Sequence, residues 1–166
     1  MSTTAGEPSG LILIIDDEAI IRLSMAMHLQ DCGYDVLLAE NGEEGLALFE
    51  VHHPDLVISD LRMPGINGLE VVSLIAATSP ETPILMVSGA GLAKDVVEAL
   101  RSGAWNFITK PITNMDVLSH AVAQNLERAR LIEENRLYRE KLEVEVTRRT
   151  EALEASMRRS DELAHQ

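Results

Sequence analysis

The sequence predicts a doubly wound α/β domain: a parallel sheet of five strands with helices on both faces, followed by one extended C-terminal helix. Two observations support this prediction. Short apolar runs alternate five times with segments of helical periodicity, which is the pattern of repeated strand–helix–strand units. After the fifth run, the chain contains no glycine or proline from Asn114 to Gln166, and Glu, Arg, Leu and Ala dominate it, so helix propensity stays high to the last residue.

The predicted elements follow one another with short connections. The first strand, residues 11–15, is a continuous apolar run, as expected for a strand that is buried on both faces. The first helix, residues 19–31, has apolar side chains at helical spacing and ends before Gly33. The further strands are predicted at 35–39, 55–59, 84–87 and 104–108, and the further helices at 43–50, 68–77 and 92–102. Right-handed crossovers then predict the strand order 2-1-3-4-5 of a flavodoxin-like sheet.

Composition and charge limit the class of partner. The net charge is −13, and residues 1–125 hold 17 acidic and 5 basic side chains, whereas residues 126–166 hold 10 and 9. An acidic domain argues against direct binding to DNA or to anionic membranes. Cys32 is the single cysteine, which fits the cytoplasm, and no apolar run approaches the roughly 20 residues of a membrane-spanning helix. Residues 1–10 lack the apolar segment of a signal peptide and are predicted to be a disordered lead.

Polar side chains follow four of the predicted strands at the point where each strand ends. Asp16 and Asp17 follow the first strand, Asp60 the third, Ser88 the fourth and Lys110 the fifth. The carboxyl ends of parallel strands lie on one edge of a sheet, and ligands bind in the crevice outside that edge. Three carboxylates, a hydroxyl group and an amine are therefore expected to converge on one small site.

The residue types at this edge indicate phosphoryl chemistry. Three carboxylates placed together repel one another unless a cation lies among them, and an oxygen-only ligand set with room for water suits Mg²⁺. A metal beside a lysine and a hydroxyl group would hold phosphoryl oxygens, and positioning with charge neutralisation is most of what phosphoryl transfer requires. The sequence has no GxxxxGK[ST] loop to hold a nucleotide, so the phosphoryl donor comes from elsewhere, and one of the aspartates could be the nucleophile.

Four sequence segments at these strand ends resemble the receiver domains of two-component response regulators. The segments are residues 13–18 (LIIDDE), 60–68 (DLRMPGING), 87–90 (VSGA) and 107–111 (FITKP), and the resemblance covers about residues 11–125. An acidic pair or a Lys-Pro dipeptide alone is a weak signal. The four segments together, in this order and at the same edge of the predicted sheet, are a specific signal.

The resemblance implies a role for each matched acidic residue. Asp60 is implied as the phosphoacceptor. Asp17 is implied to bind Mg²⁺ directly, together with Asp60 and the backbone carbonyl of Arg62, while Asp16 acts mainly through water. Arg62 and Ala90 flank the site at positions that vary within the family and tune the lifetime of the phosphoryl group.

The remaining matches imply how the phosphoryl group is held and sensed. Ser88 and Lys110 are implied to bind phosphoryl oxygens, Phe107 to be the switch aromatic, and the bond before Pro111 to be cis. The implied donor is a sensor histidine kinase or a phosphotransfer protein in the cytoplasm. The implied protein is a regulatory domain rather than an enzyme, with self-catalysed phosphotransfer and dephosphorylation only.

Residues 126–166 are predicted to be a coiled-coil linker that forms a parallel homodimer. Apolar or small residues recur along it with a mean step near 3.67, which predicts a nearly straight or mildly right-handed bundle. The stripe comprises Leu131, Asn135, Tyr138, Leu142, Val146, Thr150, Leu153, Met157, Ser160 and Ala164. The chain ends within a helical pattern, so an output domain is expected beyond it. Residues 146–153 resemble linkers that join receivers to cyclic-di-nucleotide phosphodiesterase or histidine-kinase modules.

Other interpretations of the same residues remain open at this point. Asp16 and Asp17 could be a helix N-cap pair, since aspartate favours helix N-termini. A Mg²⁺-dependent phosphatase with Asp60 as nucleophile is a rival, although such enzymes usually carry a second acid where this chain has Arg62. A second rival is a coiled-coil dimerisation module with a degenerate receiver. The intact acidic, serine and lysine positions argue against it.

Overall fold

Five parallel strands form one sheet, and each ends at the same edge. The strands are β1 (Leu11–Ile15), β2 (Asp35–Ala39), β3 (Leu56–Ser59), β4 (Ile84–Ser88) and β5 (Asn106–Thr109). Their spatial order is β2-β1-β3-β4-β5, with parallel pairing throughout, which confirms the predicted doubly wound, flavodoxin-like topology. The helices are α1 (Ala19–Asp31), α2 (Gly42–His52), α3 (Gly68–Thr78), α4 (Ala93–Ser102) and α5 (Asp116–Ala164).

The structure is a computed structural model that describes residues 9–89 and 93–164. Residues 1–8 of the predicted lead, Ala90 at the edge of the predicted site, and Leu92 at the start of the predicted fourth helix lie outside the described residues. The chain divides into two compact units, Met1–Ala129 and Arg130–Gln166.

The central strands are apolar because both of their faces are covered. All residues of β3 and β4 are buried, as are the last four residues of β1. Successive side chains of a strand point to opposite faces of the sheet, so the interior separates into two clusters. Leu13, Ile15 and Val57 pack with residues of α2, α3 and α4, while Ile12 and Ile14 pack with residues of α1 and α5. The sheet is therefore anchored on both sides, and the loops at its carboxyl edge stand on a rigid support.

Two boundaries differ from the sequence prediction for identifiable reasons. The pair Asn41-Gly42, expected as a turn, belongs to the start of α2, because the Asn41 side chain accepts a hydrogen bond from the Glu44 backbone N–H at 2.8 Å and caps the helix. The fifth strand begins at Asn106 rather than at Ala104. The Ala104 N–H still donates to the Ala99 carbonyl at the end of α4, so Ala104 belongs to the helix termination.

The last helix is one continuous element of 49 residues, in agreement with the predicted extended C-terminal helix. Within Arg130–Gln166, pairs of Arg and Glu three or four residues apart form ion pairs along the helix surface, such as Arg136 with Glu133 and with Glu140, and Arg149 with Glu145. Among residues 9–89 and 93–164, no helix combines the length and the apolar character needed to cross a bilayer.

Candidate functional site

Acidic side chains from two strand ends meet at the carboxyl edge of the sheet. The Asp16 N–H donates to the Ala39 carbonyl at 3.1 Å, and the Asp60 N–H donates to the Ile15 carbonyl at 2.9 Å, so both residues directly extend the ladder of β1. Carboxylate oxygens of Asp16, Asp17, Glu18 and Asp60 all lie within 4.8 Å of one another. Asp16 and Asp60 are buried, whereas Asp17 and Glu18 are exposed.

Lys110 supplies the positive charge of this cluster from the end of β5. Its Nζ donates to Asp16 Oδ2 at 2.9 Å and to Asp60 Oδ2 at 3.3 Å, and lies 3.5 Å from Glu18 Oε1. The Lys110 backbone N–H donates to the Ser88 carbonyl at 2.9 Å, which fixes the lysine beside the end of β4. The Lys110–Pro111 bond is cis, as the family resemblance implies. One ammonium group therefore faces several carboxylates and leaves the cluster with excess negative charge.

The backbone around Asp60 is shaped by a glycine. A Cβ atom added to Gly68 would lie 2.1 Å from the Asp60 carbonyl oxygen, so no larger residue fits without moving the Asp60 backbone. The Gly68 N–H donates to the Leu61 carbonyl at 2.8 Å, and the Leu61 N–H donates to Asp60 Oδ1 at 2.8 Å. The loop after β3 is thereby folded back onto α3, and Asp60 Oδ2 is left to face Lys110.

Two residues of the site were missed by the sequence interpretation. Arg22 of α1 is buried; its Nη1 donates to the Asp16 carbonyl at 2.8 Å, and its Nη2 lies 3.6 Å from Glu40 Oε1. Arg22 thus fixes the position of the Asp16 backbone from α1. Glu18 joins the carboxylate cluster directly, and its position next to Asp17 was the only signal in the sequence that could have indicated this.

The other predicted site residues differ in their burial and in the groups that they contact. Ser88 is the last residue of β4 and is buried. Phe107 lies inside β5, half-buried, and packs against the apolar cluster on the α2–α4 side of the sheet. Arg62 is exposed and forms an ion pair with Asp95 of α4. The structure therefore brings Lys110 together with the acidic residues, whereas Phe107 packs against the apolar interior.

Burial raises the pKa of the Asp60 carboxyl group above its usual range; the charge of Lys110 opposes this effect, and the charge of Asp16 adds to it. Burial alone would lower the pKa of Lys110. The hydrogen bond to Asp16 and the charges of Asp60 and Asp16 outweigh that effect, so the Lys110 pKa lies above its usual range. The Lys110 side chain therefore stays charged, whereas ionisation of the Asp60 carboxyl group costs more free energy in this site than in water.

The donor set fits a hard divalent cation. Clustered carboxylate oxygens are the ligands that Mg²⁺ prefers, and the exposure of Asp17 leaves room for the water ligands that Mg²⁺ retains. A cation among these oxygens would also relieve the repulsion that contributes to the raised pKa of Asp60. The arrangement can thus bind a metal, offer a carboxylate nucleophile and present an ammonium group to an anion.

Comparison with known proteins identifies the family. The family model described as the response regulator receiver domain matches residues 12–123. The chain is 35% identical over 123 residues to the transcriptional regulatory protein GlrR of Escherichia coli K12, covering 74% of this chain and 27% of GlrR. It is 35% identical over 128 residues to the C4-dicarboxylate transport transcriptional regulatory protein DctD of Rhizobium meliloti, covering 77% of this chain and 28% of DctD. The chain thus spans less than a third of these relatives.

Solved structures show the same fold. The crystal structure of NtrX from Brucella abortus in complex with ADP superimposes with a TM-score of 0.73 at 34% identity, covering 76% of this chain and 29% of NtrX. A response regulator receiver domain protein from Clostridium thermocellum gives a TM-score of 0.69 at 30% identity, covering 74% of this chain and 98% of that protein. The family match covers more than half of the chain, and the sheet order and the acidic edge agree with it. The protein therefore belongs to the family of two-component response regulator receiver domains.

Proposed function

We propose that the protein is a phosphorelay switch in which Asp60 accepts a phosphoryl group from a phosphohistidine in the presence of Mg²⁺. The observation that carries the proposal is the position of the Asp60 carboxylate, which lies in a cluster with Asp16 and Asp17 and accepts a hydrogen bond from Lys110. The test is the intact mass after incubation with acetyl phosphate. One phosphoryl group per chain is expected with Mg²⁺, and none after chelation of the metal.

The reaction follows from the charges of the site. An Asp60 carboxylate oxygen forms a bond to phosphorus while the bond between phosphorus and the donor imidazole nitrogen breaks, and the electron pair leaves with the imidazole. Lys110 would exchange a carboxylate partner for a phosphoryl oxygen, and the Ser88 hydroxyl group would donate to another. Asp17, Asp60 and the Arg62 carbonyl would hold Mg²⁺, with Asp16 acting through water, and the ion would neutralise charge on the phosphoryl oxygens.

An exposed apolar face beside the site supports docking of a phosphohistidine donor. Ile20, Leu23 and Met27 of α1 are exposed, with Ile20 at 82%. Next to them, a cavity of about 520 Å³ is lined by residues of α1 and of the segment after β5, Lys110 and Ile112 among them. An apolar surface at the rim of a charged site suits a helix of a histidine kinase or phosphotransfer protein, whose histidine would then reach Asp60. We place this encounter in the cytoplasm.

Phosphorylation would be read through a second surface of the domain. The phosphoryl group adds about −1.5 to −2 charge and three strong acceptors. Ser88 and Lys110 would move to bind it, and Phe107, which is half-buried, would pack further inward. The surface of α4, β5 and α5 would change, and α5 would carry the change to a dimer and an output module. The relatives are named transcriptional regulators, so a DNA-binding output module is a candidate beside phosphodiesterase or kinase modules.

Loss of the Asp17 carboxylate is expected to weaken Mg²⁺ binding more than loss of the Asp16 carboxylate. Asp17 is exposed at the cluster and is the proposed direct ligand, so Asp17→Ala is expected to lower the affinity by about tenfold or more. The affinity is measured by titrating Mg²⁺ while following the fluorescence of Trp105, which lies two residues before Phe107, the proposed switch aromatic. Equal affinity in Asp17→Ala and wild type would contradict the assignment, and Asp35→Asn, at the other end of the sheet, is the control.

Without Mg²⁺, the Asp60 carboxyl group is expected to ionise at a higher pH than an ordinary aspartate, because burial raises its pKa. The charge of Asp16 contributes to raising that pKa, so Asp60 of the Asp16→Asn variant should ionise at a lower pH than Asp60 of wild type. Carboxyl-carbon NMR shifts of the metal-free proteins, followed from about pH 3 to 9, measure both titrations. An Asp60 titration midpoint that is the same in Asp16→Asn and wild type would refute the expectation.

A further inference from the structure

Arg62 and Asp95 form an ion pair between the segment after β3 and the first turn of α4. Arg62 Nη2 lies 3.5 Å from Asp95 Oδ2, with the Arg62 side chain 67% exposed and the Asp95 side chain 16% exposed. Asp95 Oδ2 itself is buried and has no hydrogen-bond partner among the described residues. A buried carboxylate oxygen without a hydrogen bond is costly, so attraction to the Arg62 guanidinium is what offsets this cost in the described structure.

The ion pair bridges the two segments that flank the phosphoacceptor. β3 and β4 are neighbours in the sheet, and Asp60 follows the one while Ser88 ends the other. Arg62 lies two residues after Asp60, and Asp95 lies in the helix that follows β4. The pair therefore joins the elements on either side of the place where a phosphoryl group on Asp60 would lie.

We propose that Asp95 is a positioning residue, which holds the Arg62 guanidinium away from the phosphoryl group on Asp60 and thereby shortens the life of that group. The inference rests on the proposed phosphorylation of Asp60. A guanidinium binds phosphate through charge-assisted hydrogen bonds, and the Asp95 carboxylate, with its Oδ2 atom 3.5 Å from Arg62 Nη2, competes with a phosphoryl group for the same guanidinium. Arg62 thus has two competing anionic partners, and Asp95 draws it toward α4.

The competition affects hydrolysis of the phosphoryl group. In hydrolysis, a water oxygen forms a bond to phosphorus while the bond between phosphorus and the Asp60 oxygen breaks. The electron pair returns to the Asp60 carboxylate, and inorganic phosphate leaves with the protons of the water. A guanidinium bound to two phosphoryl oxygens excludes water from the space it occupies. Arg62 released from Asp95 therefore protects the phosphoryl group, and Arg62 held by Asp95 leaves it open to water.

The test compares phosphoryl lifetimes in the full chain. Asp95→Asn removes the competing charge, and Glu98→Gln removes an equal charge from the same helix as a matched control. Each protein is phosphorylated with acetyl phosphate and Mg²⁺, freed of donor, and followed by intact mass. Asp95→Asn is expected to extend the half-life about two- to fivefold, the range that a partly exposed ion pair supports, while Glu98→Gln behaves as wild type.

The double variant decides whether Arg62 mediates the effect. In the Arg62→Gln background, Asp95→Asn should leave the half-life unchanged, since no guanidinium remains to be released. An unchanged or shorter half-life in Asp95→Asn alone would overturn the proposal, and so would an equal extension with and without Arg62.

A second measurement does not require phosphorylation. Arg62→Gln leaves the Asp95 carboxylate buried without its partner, so the amides of residues 97–99 in α4 should exchange with solvent faster than in wild type. Adding Asp95→Asn removes the charge and should restore slow exchange. If neither change in exchange is observed, the Arg62–Asp95 pair does not restrain α4 and the proposal is overturned. If the chain takes up no phosphoryl group but shows both changes in exchange, the proposed function is overturned, and the restraint of α4 by the Arg62–Asp95 pair is confirmed.

Discussion

Replacement of Asp60 by asparagine is expected to abolish phosphoryl uptake. The amide has the same shape as the carboxylate but cannot attack phosphorus, and the other carboxylates of the cluster are turned toward Lys110 or toward the proposed metal. We expect the rate of uptake from acetyl phosphate with Mg²⁺ to fall by about 10³-fold or more. Intact mass measures this directly, because each phosphoryl group adds a fixed increment.

The asparagine variant is expected to remain folded, which makes its loss of uptake interpretable. The pKa of Asp60 is raised by burial, so above that pKa the ionised carboxylate disfavours the folded state, and an amide removes this cost. Lys110 keeps its hydrogen bond to Asp16. Asp35→Asn, an exposed acid at the start of β2, is the matched control and should take up phosphoryl normally. An Asp60→Asn protein that gains one group at the wild-type rate would remove Asp60 from the mechanism.

The fold could be predicted because its strongest signals are local. A strand that is buried on both faces must be apolar throughout, and β1 and β4 show this directly in the sequence. The parallel topology then requires the strand ends to share one edge, so the sequence alone predicts that Asp16, Asp60 and Lys110 lie together. The geometry of the carboxylate cluster thus follows from topology rather than from any single motif.

The contacts that could not be predicted join distant segments of the chain through long, flexible side chains. Arg22 belongs to an apolar stretch of α1, and nothing in its neighbours indicates that it donates to the Asp16 carbonyl. The Arg62–Asp95 pair likewise joins positions 33 residues apart whose local sequences show no complementarity. The start of helix α2 was predicted one residue late because Asn41-Gly42 is a strong turn signal, whereas the same asparagine is also a good N-cap.

The second large effect is expected in the helix that follows the sheet. Within Arg130–Gln166 many large apolar side chains are exposed, Leu131 at 50%, Leu153 at 65% and Met157 at 67% among them. The ion pairs along the helix occupy Arg and Glu residues and leave this apolar stripe uncovered within the described structure. Burial of a Leu or Met side chain contributes roughly 1.5–3 kcal/mol, so a second copy of the helix is the partner that we expect. The full chain is therefore predicted to be a parallel dimer.

A pair of substitutions in the stripe tests this prediction in the full chain. Leu142→Asn with Leu153→Asn places amides at two positions of the predicted seam in each copy, and we expect the dimer dissociation constant to rise at least about a hundredfold. Val144→Asn is the matched control: Val144 is also apolar and exposed, but it lies about 200° around the helix from Leu142 and outside the stripe. Light scattering at tens of micromolar distinguishes dimer from monomer.

The size of the expected effect separates an interface from a loss of helix propensity. Each Leu→Asn change costs less than about 0.7 kcal/mol of helix propensity and Val144→Asn costs almost none, whereas removing a buried leucine from a seam costs roughly 1.5–3 kcal/mol, so a hundredfold rise in the dissociation constant of the double variant requires a specific interface. A wild-type chain that is monomeric at these concentrations would refute the dimer, and a Val144→Asn variant that dissociates as readily as the double variant would refute the stripe. A chain stopped after Ala129 lacks the stripe and should be monomeric, so a truncated dimer would show that the sheet unit carries the interface instead.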